Sequence, residues 1–214
     1  MTAVISAFAW VPPFAQGLVR DLRVRWALEE VGAPYEVRLL DMGENGSAAY
    51  QQWQPFGQVP AYEAGGMALF ESGAIVLHIA ENHRGLLPKR GTPRARAKTW
   101  ILAALNTVEP PILFLNQLQQ MDTPEARVVA SPVRAAIGNR LDQLSSWLGD
   151  RDYLEEDFTA GDLLMTTVLR ILRDSDLMKE RRSIEAYRDR CEARPAFVRA
   201  LNAQMAAYAA HAPE

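Results

Sequence analysis

The acid–hydroxyl pair Glu71-Ser72 stands directly before an apolar run at helical spacing, Ile75, Val76, Leu77, Ile79 and Ala80. A serine in that place caps a helix start. The same helix start, with unpaired N–H groups and a partial positive charge, also suits an anion. Sequence alone leaves both uses of Ser72 open. A second acid–hydroxyl set, Thr159-x-x-Asp162, has the form of a capping box with Asp in the place of the usual Glu or Gln. Phe158 stands where it could staple onto Leu163, and this set reads as structural, worth about 0.5–2 kcal/mol. The lone thiol is Cys191, so no intramolecular disulfide can form, and a reducing compartment, the cytoplasm, is expected. His78, His83 and His211 form no Cys/His cluster of metal-ligand spacing, and no metal is expected.

The elements that must position these residues can be read in order. Positions 2–10 are short and apolar, a strand, and Val11-Pro12-Pro13 breaks it. Leu18, Leu22, Val24, Leu28 and Val31 recur at helical spacing, with Arg20, Arg23 and Arg25 interleaved. Gly32 and Pro34 end that helix. Positions 35–40 alternate as a strand, and a polar stretch leads to a short helix around 48–53. Strands are predicted at 59–63 and 67–70, with Gly65-Gly66 a strong hairpin turn between them. Strand, helix, strand, helix, strand, strand, helix makes a small mixed sheet with helices on its faces, the thioredoxin-like arrangement.

Positions 86–92 carry Pro88, Lys89, Arg90 and Gly91 without apolar period, and read as a linker. Strand patterns then stop. Helices are predicted at 93–120, interrupted by Glu109-Pro110-Pro111, and at 132–148, 159–173, 184–194 and 195–210. The expected architecture is therefore α/β plus all-α. A thioredoxin-like domain occupies 1–85, a linker 86–92, and a helical bundle domain 93–214.

The chain is 49% hydrophobic and 23% charged, with a formal net charge of −3. This is ordinary for a folded soluble protein, and no basic excess suggests nucleic acid. No apolar run is long enough to suggest a membrane helix, and no secretory leader is evident at the first residues.

Gln54-Pro55-Phe56-Gly57-Gln58-Val59-Pro60 followed by Glu71-Ser72-Gly73-Ala74-Ile75 resembles the glutathione transferase superfamily. The resemblance extends back to Arg23-Val24-Arg25-Trp26-Ala27-Leu28-Glu29-Glu30 with Pro34-Tyr35-Glu36, and forward to Phe158-Thr159-Ala160-Gly161-Asp162. It implies glutathione as co-substrate, conjugated through its thiolate to an electrophilic small molecule in a detoxification step. It implies that Ser72 and the helix start take the γ-glutamyl carboxylate, and Glu71 the ammonium group beside it. A cis Pro60 would turn the Val59 N–H and C=O to the cysteinyl part, like an added strand. Gln58 would reach the glycyl end. A homodimer is implied too, with Phe56 as a possible anchor in the partner's helical domain.

One departure is informative. Family members commonly place a Tyr, Ser or Cys just after the first strand, whereas Trp10 to Pro34 here contains no Ser, Thr, Tyr or Cys. Ser6, inside the first strand, is the nearest hydroxyl upstream. The expected activators of the sulfur are instead backbone N–H groups near Gly17 and Leu18, with Arg20 assisting. Gln16 and Asn106 are further donor candidates. The departure also keeps two alternatives in view, a glutathione-binding module without turnover and a protein-interaction domain of the same fold.

Overall fold

A computed structural model describes residues 2–213. By internal packing the chain divides into two compact units, 1–87 together with 193–214, and 88–192.

In the first unit, β1 (Ala3–Phe8) pairs in parallel with β2 (Tyr35–Leu40), from Ala3 opposite Tyr35 to Phe8 opposite Leu40. Helix α1 (Asp21–Val31) makes the crossover that a parallel pair needs. Strand β3 (Ala61–Ala64) pairs antiparallel with β1 on its other side and with β4 (Met67–Phe70), giving the order β2-β1-β3-β4. Gly65 and Gly66 both have positive φ, 60° and 79°, as the predicted tight turn demands. Short helix α2 (Ala48–Gln51) precedes β3, and α3 (Ser72–Asn82) follows β4. The thioredoxin-like reading of this sheet holds.

Helix α1 begins later than its apolar period suggested. Positions 17–20 form turns, Arg20 is the N-cap, and from Asp21 to Leu28 every residue is buried. Gly32 closes it in the left-handed conformation at φ 66°, with the Ala33 N–H on the Leu28 carbonyl at 3.0 Å.

The last helix, α10 (Pro195–Ala210), covers α1. Trp26 meets Phe197 edge to face at 4.8 Å, and Arg194 forks onto both carboxylate oxygens of Glu30 at 2.6 and 2.8 Å. Inside the contact, the Gln204 amide donates to Asp21 at 2.6 Å, and Asp21 also takes Arg25 Nε at 2.7 Å. Burial raises the Asp21 carboxyl above its usual value in spite of these partners. The sequence expectation grouped 93–214 as one helical domain, whereas 193–214 packs with the first unit. Helical periodicity marks a stripe to be buried but not which surface buries it.

The second unit is all-helical: α4 (Gly91–Ala103), α5 (Glu109–Met121), α6 (Pro124–Leu148), α7 (Ala160–Leu169), α8 (Asp176–Lys179) and α9 (Arg182–Glu192). Helix α7 is buried along its whole length, as its apolar run predicted. A π-helical turn, Ala104–Val108, joins α4 to α5. The predicted break at Pro110-Pro111 becomes the first turn of α5, where missing N–H groups cost nothing. Helix α6 starts well before the predicted Pro132. Thr123 caps it, Pro124 takes its first turn, and Pro132 is carried inside.

Candidate functional site

The hairpin register sets the site. Ala61 at the start of β3 pairs with Phe70 at the end of β4. The residues just outside that pair, Val59-Pro60 on one side and Glu71-Ser72 on the other, therefore leave the sheet at the same end. Directly opposed residues of an antiparallel pair lie roughly 4.5–5.5 Å apart between Cα atoms.

On the Val59 side, the Val59–Pro60 peptide is cis. Val59 and Pro60 are buried and Gln58 is exposed. Among the described residues, none takes the Val59 N–H or C=O in a hydrogen bond. The approach to this segment is pinned by polar contacts. Gln54 Oε1 accepts the Phe56 N–H at 2.6 Å, and Asn45 Nδ2 donates to the Gly57 carbonyl at 2.6 Å. Gly57 has φ 62°, and a Cβ there would lie 2.8 Å from the Asn45 carbonyl oxygen, so both conformation and space require glycine.

On the other side, Glu71 is the N-cap of α3 yet makes no side-chain cap bond. Its backbone sits at φ 69°, ψ 111°, outside the regions that non-glycine residues favour. Such a conformation costs on the order of 1–3 kcal/mol, and residues held in this way cluster at active sites and ligand clamps. Glu71 is exposed and Ser72 is buried. Arg23, itself only 3% exposed, donates from Nη1 to Ser72 Oγ at 3.2 Å. With its oxygen accepting from Arg23, Ser72 keeps its own proton to donate. A buried guanidinium thus stands behind the hydroxyl and adds to the positive end of α3. Sequence reading missed Arg23: it stood in a run with Arg20 and Arg25 and looked like one more charge among alternating residues. The feature that could have singled it out is its place in the segment carrying the family resemblance.

Residues 16–81 match the family model "Glutathione S-transferase, N-terminal domain". The chain is 31% identical over 196 residues to glutathione S-transferase PARB of Nicotiana tabacum, covering 84% of this chain and 91% of that one. The chain belongs to the glutathione S-transferase family. It is also 28% identical over 185 residues to glutathione S-transferase F9 of Arabidopsis thaliana, covering 79% of this chain and 86% of that one. Two solved structures share the fold. Poplar glutathione transferase F1 has a TM-score of 0.82 at 22% identity, over 96% of this chain and 99% of that one. A glutathione transferase family member from Pseudomonas fluorescens, solved with two glutathione bound, has a TM-score of 0.82 at 20% identity, over 94% and 92%.

Against this family frame, the expected sulfur activators fare unevenly. The Leu18 N–H is turned onto the Ala15 carbonyl at 3.0 Å. The Leu22 and Arg23 N–H groups are taken by Val19 and Arg20 carbonyls at 3.1 Å each. Leu18 therefore does not present its N–H at a helix start, because the helix begins after it. The Gln16 amide donates to the Val11 carbonyl at 3.0 Å. Gly17 is buried at φ 72°, and Arg20 is half-buried at the N-cap of α1. Asn106 is exposed in the π-helical turn of the second unit. Ser6 is fully buried in β1, and its hydroxyl is engaged with Tyr50 and the Ala61 N–H.

Proposed function

We propose that this glutathione transferase holds glutathione at the end of the β3–β4 hairpin and joins its thiolate to an electrophilic small molecule. The observation that carries this is the register: one paired position, Ala61 opposite Phe70, puts the Val59 backbone and the Ser72 hydroxyl at one sheet end. In this reading Ser72 and the α3 N-terminus take the γ-glutamyl carboxylate, Glu71 takes the ammonium, Val59 pairs with the cysteinyl backbone, and exposed Gln58 meets the glycyl end. The thiolate attacks carbon and, with an aromatic halide, halide leaves as the S–C bond forms. Calorimetric binding of glutathione together with turnover of an aromatic halide supports the reading. A folded protein that binds no glutathione overturns it.

The second reading is binding without turnover. It is favoured by the engaged Ser6 and by the lack of any hydroxyl or thiol from Trp10 to Pro34. A thiol of ordinary pKa, about 8.5, needs roughly 2.7 kcal/mol of preference for its anion to titrate two units lower. Gly17 and Arg20 remain our candidates to provide it. Arg20→Ala then raises the pKa of bound glutathione thiol, read from thiolate ultraviolet absorbance against pH. An unchanged titration removes Arg20 from that role.

The same reading includes a cytoplasmic homodimer serving detoxification. Phe56 is 68% exposed and meets the partly exposed Phe70 edge to face at 5.9 Å, an aromatic pair available to a partner copy. Sedimentation of wild type and Phe56→Ala tests this: a dimer weakened by the substitution supports it, and a monomeric wild type refutes it.

A further inference from the structure

Strand β1 reads Ala-Val-Ile-Ser-Ala-Phe, and its single polar residue, Ser6, is 0% exposed. A buried hydroxyl costs free energy unless it is hydrogen-bonded, and a valine would suit this strand on propensity alone. Something at this position uses the hydroxyl.

Ser6 Oγ is 2.7 Å from the Ala61 nitrogen and 2.7 Å from the Tyr50 hydroxyl, and that hydroxyl is 2.7 Å from the Gln58 carbonyl oxygen. The chemistry of the end groups orients all three bonds. The Ala61 N–H can only donate, so Ser6 accepts it. The Gln58 carbonyl can only accept, so Tyr50 spends its one proton there. The middle bond must then run from Ser6 to Tyr50. The result is a chain of fixed direction, from the Ala61 N–H through Ser6 and Tyr50 to the Gln58 C=O. Both side chains are 0% exposed, and every proton has one destination.

The two backbone groups at the ends of this chain bracket Val59 and Pro60. Proline has no N–H to give. Val59 is the residue whose backbone pair is left for something outside. Ser6 is built into β1, where it lies opposite Arg38 of β2, and Tyr50 belongs to α2, with its N–H on the Ser47 hydroxyl at 3.2 Å. The strip from 58 to 61 is thus tied on its inner side to a strand and a helix.

We propose that Ser6 and Tyr50 are positioning residues that hold the Gln58–Ala61 strip in register for glutathione. The proposal rests on the reading of Val59 as the residue that pairs with the cysteinyl backbone. Neither side chain touches glutathione; they act through Gln58 and Ala61. Each bond in the chain polarises the next, so losing either hydroxyl disables the whole relay.

The test compares wild type with Ser6→Ala, Tyr50→Phe, the double variant and Ser6→Thr. Glutathione affinity is measured by calorimetry, and KM for each substrate, kcat and the unfolding midpoint are measured in parallel. We expect each single variant to bind glutathione roughly tenfold more weakly, the size of one lost hydrogen bond. The electrophile KM stays as in wild type. The double variant is no worse than the weaker single one, because the two hydroxyls act as one chain. Ser6→Thr, which keeps the hydroxyl, recovers the affinity. A fall in unfolding midpoint with wild-type glutathione affinity means a merely structural pair and overturns the proposal. So does additive loss in the double variant. If Ser6→Ala does not fold, Tyr50→Phe and Ser6→Thr carry the same comparison. Ser72→Ala separates the layers: if it weakens binding while the relay variants do not, the relay is wrong and the site assignment stands. A wild type that binds no glutathione overturns both.

Discussion

Helices α3 and α7 each start with an acid and a hydroxyl, and they use them in opposite ways. At α7 the box is closed. Asp162 accepts from the Thr159 N–H at 2.8 Å, the Thr159 hydroxyl at 3.0 Å, the Leu154 N–H at 2.8 Å and the Tyr187 hydroxyl at 2.9 Å. Thr159 in turn accepts the Gly161 N–H at 3.2 Å. At α3 the acid turns outward on a strained backbone, the cap bond is missing, and the serine oxygen is occupied from behind by Arg23. A satisfied helix start holds the fold together. An unsatisfied one, kept that way at a conformational cost, is available to a ligand.

The contrast is open to test by substitution, and the largest effect belongs to the closed box. Asp162→Ala leaves two N–H groups, the Thr159 hydroxyl and a phenol buried without their acceptor. At about 1–3 kcal/mol for each unsatisfied group, with partial relaxation, it should lower folding stability by about 3–5 kcal/mol in urea unfolding. Glutathione affinity of the folded fraction should not move. An altered affinity there erases the distinction between the two starts. Next comes the open start. Ser72→Ala removes a hydrogen bond to a charged ligand group, worth about 1.5–3 kcal/mol. Glutathione should bind ten- to a hundredfold more weakly, at little cost to stability, and unchanged calorimetry would sink the assignment.

Arg23→Lys is a finer probe. It keeps the charge but loses the planar fork, and should cost about 1 kcal/mol of glutathione binding, several-fold in affinity. If the affinity holds, charge alone suffices behind Ser72. The smallest effect is a slope. Burial raises the Asp162 carboxyl above the usual 3.8, against the lowering effect of its hydrogen bonds. The folded state therefore holds that proton more tightly than the unfolded chain. Its contribution is fully present below the usual value and declines as pH rises toward the native one, by at most about 1.4 kcal/mol per pH unit. Urea midpoints across mildly acidic pH should show this decline in wild type but less of it in Asp162→Ala. Parallel curves would remove the elevated Asp162 from the account.

The closed box and the hairpin were legible because each is written in neighbouring residues: Thr159 and Asp162 three apart, Gly65 beside Gly66. The open start was legible as a helix opening and became a candidate ligand site only through the Val-Pro pattern before it. Arg23, Ser6 and Tyr50 were not legible as supports of that candidate site. Each acts on a residue outside its own element: Arg23 on Ser72 and Ser6 on Ala61, 49 and 55 positions away, and Tyr50 on Gln58, beyond the end of α2. Local patterning marks which face is apolar, but it does not pair a buried charge with a hydroxyl on another element. The start of α1 was missed for a related reason. Its apolar period runs on through turns at 17–20 that are buried or half-buried without being helical.

The covering of α1 by α10 has a consequence for the order of events as the chain is made. Synthesis delivers the sheet and α1 first, then all of residues 88–192, and only afterwards the helix that covers Trp26 and takes Arg194 to Glu30. At about 5–20 residues per second, the nascent first unit waits several seconds with that flank uncovered. Completion of the first unit is thus a late event, delayed until residues 88–192 have been made. A ribosome-bound chain stopped before Pro195 should carry an unsealed α1, the surface on which a chaperone would act.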